Sequence, residues 1–371
     1  MQLKVKTTAH DEELAILRKE VTVADKRVDT PSKTLRPENL KDSDSSSMLC
    51  EVSRRIDATT LEQIHGAVDF ASELVQSIKR KKVNNQSLVH FNLCTNELPD
   101  KDHTVTLAHS LYAASDDIVC LPTVKKSVFM QFEPGRKTPI ISDKRVDVYV
   151  EFQKCIIDAL KMKNSKAILG AIPLFLPPKF TNPLIDFYFD QEVTHFVIDA
   201  NTSNILNKET NVRAILNRIT ENAKERKETL EDTFIHAMNL GINQFEAEEI
   251  PADDLLSLFA YIDSFGITFK SRGRKPNKRI DKLPDRPPRK KRFSREHYVY
   301  KILNGAKSSK SKTDVTLASL KAQNERNQYK EATFLQGGIG EESMMKYLGQ
   351  KRGVSKITYK KLQTIYSSIK L

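Results

Sequence analysis

Between about residues 87 and 265, short continuous apolar runs alternate with stretches whose apolar residues recur at helical spacing. The runs are LVHF (88–91), IVCL (118–121), AILGAI (167–172), HFVI (195–198), FIHAM (234–238) and LFAYI (258–262), with VFMQF (128–132) as a further candidate. The intervening helices are clearest over 146–163, 182–191, 208–224 and 252–259. Strands that are apolar at every position are buried on both faces, so the pattern predicts a parallel sheet covered by helices. The predicted architecture is an α/β fold of the TIM type, a (β/α)8 barrel. Six or seven of its strands are visible in the pattern, and the eighth is inferred.

The two ends of the chain read differently. Apolar residues at 14–17 and 21–23, a turn at 24–26 and a further extended stretch over 27–31 predict an N-terminal hairpin. Residues 36–50 are polar and turn-rich, hence a loop. One helix is expected over 59–80, capped by Asp57 or Thr59. Beyond residue 294 the chain is expected to be mainly helical. A short helix starts in HYVYKIL, a longer one covers 316–333, and a break at Gly337-Gly338-Ile339-Gly340 precedes a helix over 341–348. A last helix presents Ile357, Leu362, Ile365 and Ile369. The implied organisation is a barrel domain with its hairpin over 1–268, a basic linker over 269–293 and a small helical module over 294–371. That module suits either a helix-turn-helix-like role or plain packing.

Composition narrows the classes. The chain has 371 residues and no apolar run near the roughly 20 residues that cross a bilayer, so a protein without membrane contact is expected. Its first twenty residues mix charges and lack the apolar centre of a signal peptide. Cys50, Cys94, Cys120 and Cys155 are scattered, without a CxxC pair. This argues against a zinc knuckle or a disulfide scaffold and fits a reducing cytoplasm. No Gly-rich phosphate loop follows any strand, which disfavours dinucleotide-binding and P-loop folds. No metal, flavin or nucleotide cofactor is expected.

Charge changes the picture most. Residues 270–295 hold thirteen Lys/Arg and two Asp, net +11 of the chain's formal +12, so the rest is close to neutral. Such a strap suits a polyanion, with Arg272, Arg274, Lys275, Lys278, Arg279, Arg289, Lys290, Lys291 and Arg292 as phosphate contacts. A solvated linker or localisation signal has the same composition. Polar residues just past the predicted strands face the mouth of such a barrel. Asn92, Asn201, Asn239 and Ser264 are candidates for hydrogen-bonding a nucleobase edge. Asp199 and Asp263 form the candidate carboxylate pair, one attacking an anomeric carbon while the other handles protons. Asp199 also suits a plain capping role. His90, His195 and His236 lie in or at the start of strands and read as packed side chains.

These residues also carry a resemblance. The hairpin ending in Val28-Asp29-Thr30-Pro31 resembles the opening hairpin and Thr-Pro step of tRNA-guanine transglycosylases. Tyr261-Ile262-Asp263-Ser264-Phe265-Gly266, followed by Lys270-Ser271-Arg272-Gly273-Arg274, is similar to that family's nucleophile strand and Arg-bearing loop. It looks closer to the branch that inserts 7-deazaguanine bases into DNA. The resemblance implies a modified TIM barrel in which Asp263 attacks C1′ of a target guanosine. The glycosyl-enzyme would be displaced by a deazapurine, with Arg272 and Arg274 gripping phosphates beside a flipped base. Three features depart from the family. No cysteine follows Cys155 to build its zinc site, the strand end supplying its second aspartate has no counterpart, and registering the loop on its arginines puts Gly266 at the nucleophile position.

The expectation is therefore a base-exchanging transglycosylase on nucleic acid, DNA favoured over tRNA. Two rivals stand beside it: a non-catalytic nucleic-acid binder, and a different barrel enzyme for a small phosphorylated substrate.

Overall fold

In LRKEVTV, residues 17–23, every second position is buried, Leu17, Val21 and Val23 together with Lys19, as in a strand with one face on a core. This segment is β2 (Leu17–Val23), the centre of an antiparallel sheet with β1 (Lys4–His10) and β3 (Lys26–Thr30). The expected hairpin is β2–β3, and β1 is an added strand on its open edge. The computed structural model describes residues 3–40, 48–81, 86–135, 138–163, 165–242, 248–268, 290–303 and 316–369. Among these residues it is a mixed α/β structure with a mostly parallel central sheet and nine α-helices. None of the helices is long and apolar enough to cross a membrane.

The central sheet contains β4 (Ser32–Lys33), β5 (Leu49–Ile56), β6 (Gln86–Leu93), β7 (Ile118–Cys120) and the two-residue β8 (Thr123–Val124). A small separate ribbon, β9 (Met130–Gln131) with β10 (Ile140–Ile141), follows. The sheet continues with β11 (Ala167–Pro173), β12 (His195–Asp199), β13 (Ile235–Met238) and, after β14 (Glu249–Pro251), with β15 (Ser264–Phe265). Its order is β4-β15-β13-β12-β11-β7-β6-β5, every pair parallel, with β8 alongside β6. The two ends of this order meet. Leu35 N–H donates to Leu49 O at 3.1 Å, and Glu51 N–H donates to Leu35 O at 2.9 Å. Two strands are absent from the sequence pattern: β4, too short and too polar to register as an apolar run, and β5, whose LCEVSRRI run is interrupted by three charged residues.

Helices α1 (Ala58–Gly66), α2 (Val68–Lys79), α3 (Lys101–Ala114), α4 (Asp143–Lys161), α5 (Pro178–Asp190) and α6 (Glu209–Glu225) connect these strands. They cover the sheet face that carries Val52, Phe91, Val119, Ile172, Ile198 and Ala237. On the opposite face, Leu88, Cys120, Leu169 and Val197 pack with Val21 and Val28 of the N-terminal sheet. Two helices replace the single one expected over 59–80, because Ala67 is extended at φ −137°, ψ 105°. The run at 258–262 is not a strand either. Residues Leu255–Phe259 form a 3-10 helix, and the strand begins only at Ser264. A short buried apolar run fits both conformations, and periodicity does not separate them.

The C-terminal segment contains β16 (Lys290–Ser294), β17 (Val299–Leu303), α7 (Leu317–Gly338), α8 (Met344–Gly349) and α9 (Lys356–Ser368). HYVYKIL therefore contains a strand rather than a helix start, and β17 joins β14 to β16. Its β-branched and aromatic residues favour that outcome. Gly337 and Gly338 remain helical, and the break follows at Ile339. Phe293, Leu335, Leu348, Leu362 and Ile365 share one apolar cluster with the helix-covered face of the sheet. Ile357, expected inside, is 70% exposed.

At the N-terminal ends of the strands a buried ion pair joins the two sheets. Lys19 Nζ lies 3.0 Å from Asp263 Oδ1, and both side chains are almost wholly buried. Lys19 also donates to Thr233 O at 2.6 Å and Leu230 O at 3.2 Å, while Asp263 Oδ2 accepts from Ile235 N–H at 2.7 Å. Burial raises the Asp263 carboxyl above its ordinary value, and Lys19 partly offsets that. Removing one member strands a buried charge, so Lys19→Met should cost about 3–5 kcal/mol in urea unfolding at neutral pH. The loss should shrink in acid, where Asp263 can be protonated. A loss below about 1 kcal/mol would mean the pair is not a stabilising lock.

Candidate active-site mouth and interior cluster

The C-terminal ends of the strands carry a polar group centred on Asp199, the last residue of β12. Its Oδ1 accepts from the Asn239 side-chain amide at 2.9 Å and from Asn201 N–H at 2.9 Å. Burial raises the Asp199 carboxyl above its ordinary value, and these two bonds offset the rise in part. The backbone around it is unusual. Asn201, Thr202 and Asn239 all have positive φ, at 43°, 69° and 54°. For a β-branched residue such as Thr202 that conformation is costly. It is held by Thr202 N–H on Asn239 O at 2.7 Å and Gly241 N–H on Ser203 O at 2.9 Å. Gly241 is required there, since a Cβ would stand 1.9 Å from Thr202 O.

Thr268, two residues ahead of the basic run in the sequence, lies at the same end. It is the last described residue before that run and donates to Leu240 O at 2.6 Å, and Asn239 N–H reaches Ile267 O at 3.4 Å. Arg272, Arg274, Lys275, Lys278, Arg279 and Arg289 lie outside the described residues. Lys290, Lys291 and Arg292 form part of β16, the first two half-buried and Arg292 exposed. Asn92 stands near the C-terminal end of β6, level with Thr123. Asn204 caps the turn Ile205–Lys208 and donates to Asp253 at 2.6 Å.

Two predicted residues stand elsewhere. Asp263 was expected to close a strand, but it precedes β15 and sits at the opposite, N-terminal end in the Lys19 pair. The apolar run before it opens in a 3-10 turn that ends at Phe259, so the strand starts six residues later than the pattern suggests. Ser264 is fully buried, and its hydroxyl pairs with His236 Nδ1 at 2.8 Å. Asp199, Asn201 and Asn239 come together, whereas Asp199 and Asp263 do not.

Ser264 leads to a group that sequence reasoning missed. Glu51 on β5, His90 on β6 and His236 on β13 point to one place, and each is essentially inaccessible to solvent. Glu51 Oε1 lies 3.4 Å from His90 Nε2 and 3.7 Å from His236 Nε2, and one potential ligand atom from each residue falls within 4.8 Å of the others. The imidazoles stack with centroids 5.6 Å apart. Glu51 Oε2 is fixed by Thr34 Oγ1–H at 2.7 Å and Ile267 N–H at 2.8 Å. Gly266 makes room for it, since a Cβ there would lie 2.3 Å from Oε2. Burial pushes the Glu51 carboxyl up, but His236, His90 and Lys33 pull it down to about 2. Burial lowers His90 to about 4. These are the residues that could hold a metal ion. The three positions lie 39 and 146 residues apart, so no local motif betrays them.

The third strand histidine is structural, as expected. His195 Nε2–H donates to Leu3 O at 3.2 Å, and Nδ1 accepts from Phe234 N–H at 3.1 Å. Neither a family model nor a curated protein matches the chain.

Both His195 nitrogens are committed to the neutral ring, and burial lowers its pKa from 6.5 to about 4. The unfolded chain therefore binds this proton first, and stability should fall as pH drops from about 6.5 towards 4. His195→Gln should flatten that part of the stability–pH curve in denaturant titrations. An unchanged slope would exclude His195 as a source.

Proposed function

We propose that the chain is a TIM-type (β/α)8 barrel that exchanges a purine base in nucleic acid, with Asp199 as its acid–base group. Eight parallel strands interleaved with helices, and the two hydrogen bonds from Leu35 to β5, support closure. Active sites of such barrels lie at the C-terminal strand ends. A carboxyl biased towards its neutral form suits proton delivery to a departing base, and Asn239 sets its orientation. Asn92 and Asn201 are suited to the base edge. Asp263 has no part in this reading, because its carboxylate is neutralised by Lys19 at the other end. The exchange is accordingly assigned to a short-lived sugar cation captured by a 7-deazapurine, rather than to an Asp263 ester.

The observation that carries this reading is that Ile267 and Thr268, the last described residues ahead of the basic run, bond to Asn239 and Leu240 beside Asp199. A polycation that begins two residues after Thr268 in the sequence suits delivery of a polyanion to that strained, buried carboxyl. A reducing, cytoplasmic setting belongs to the same reading, and the four free cysteines agree with it. The rival reading, a nucleic-acid binder without chemistry, is favoured by one feature: Gly266, in register with the family's nucleophile, carries no side chain.

Labelled guanine and 7-deazaguanine incorporation, tested on DNA and tRNA in parallel, discriminates the two. Asp199→Asn should lower exchange at least about 100-fold, the scale of a general acid. It should leave binding intact, with affinity falling steeply between roughly 50 and 200 mM salt. Salt-sensitive binding without exchange in the unmodified chain would favour the binder. Exchange that survives Asp199→Asn would remove Asp199 from the mechanism.

A further inference from the structure

We propose that Glu51, His90 and His236 bind one divalent transition-metal ion, of the zinc or iron(II) type, inside the central sheet. Three buried polar atoms converge there without a hydrogen-bond partner among the described residues: Glu51 Oε1, His90 Nε2 and His236 Nε2. Leaving such atoms unpaired is costly, and a cation satisfies all three at once. The spacings fit a coordination shell better than hydrogen bonds. At 3.4 Å and 3.7 Å the two imidazole–carboxylate separations exceed the usual range for N–H···O. Ligand atoms about 2.0–2.1 Å from a tetrahedral ion stand roughly 3.3 Å apart, so small side-chain shifts would complete the shell.

The donor set points the same way. Two imidazoles and one carboxylate favour zinc, iron(II) and related ions over calcium or magnesium, which prefer all-oxygen shells. Three protein ligands leave at least one position for water or another small ligand. The surroundings hold two of the three ligands, His236 and Glu51, as metal sites require. Ser264 Oγ orients His236 through Nδ1, and Thr34 and Ile267 N–H fix Glu51 Oε2, leaving Oε1 for the ion. Cys120 is buried nearby on β7, so thiolate coordination is the competing arrangement that spectroscopy must exclude.

The test uses the full chain, stripped with chelator and titrated with Zn2+ and Co2+ by calorimetry and visible absorption. One equivalent should bind, raise the melting temperature, and give a Co2+ spectrum free of sulfur charge-transfer bands. Glu51→Gln and His236→Asn should weaken binding at least about 100-fold, and Ser264→Ala by about 10–100-fold. His65 and His103, whose rings lie 4.2 Å apart on the surface, provide the control. His65→Gln should leave the tight equivalent unchanged. No stoichiometric binding by the unmodified chain, a sulfur band, or loss of binding in His65→Gln would each overturn the assignment. Because the first two are read on the unmodified protein, misfolding of a core variant cannot mask the outcome.

Discussion

The carboxylate of Glu51 is the constraint around which the interior is organised. It takes a hydroxyl from the segment after β4 and a backbone N–H from the segment after β15, and it faces imidazoles from β6 and β13. Four strand regions are thereby referred to one group on β5. A buried anion is tolerated only where its surroundings answer its charge, so these strands cannot slide in register independently. Gly266 belongs to the same constraint, because only a residue without a side chain lets the carboxylate reach Ile267 N–H.

Charge is divided between the two ends of the sheet in different ways. At the N-terminal end Lys19 and Asp263 cancel each other in a dry junction bounded by carbonyl oxygens. At the C-terminal end Asp199 is answered by two amides among the described residues, and Thr268 there precedes the most basic stretch of the sequence. A neutralised pair resists rearrangement, whereas an acid held by neutral donors can still gain or lose a proton. Strained backbone at Asn201, Thr202 and Asn239 lies at the second end, where binding groups on a rigid scaffold are expected.

Much of the framework was legible because it rests on burial. The runs at 88–91, 167–172 and 195–198 became strands, and 146–163 and 208–224 became helices, since their apolar spacing allows little else. Elements defined by pairing rather than burial were not legible. Ser32–Lys33 becomes a strand because its neighbours offer hydrogen bonds, whereas in the run at 258–262 the chain curls up to Phe259 and pairs only through an isolated bridge of Ala260 to Ala15. That one misreading carried Asp263 to the wrong end. Asp199, Asn201 and Asn239 were found because residues following a buried parallel strand emerge at one rim. Glu51 was not, since a carboxylate gains its meaning from partners 39 and 185 residues further along the chain.

The reach of α7 has a separate consequence. The amide of Gln336 donates to Asp29 O at 3.0 Å and Pro31 O at 2.9 Å, clasping the chain where the hairpin gives way to β4. Contacts spanning about 300 residues form late, after the loop between them has closed. A nascent polypeptide emerging from the ribosome would therefore hold its first hairpin unclasped until α7 had been made. Proteolysis ahead of α7 would reopen that seam, so the C-terminal helices cannot be treated as a detachable appendage.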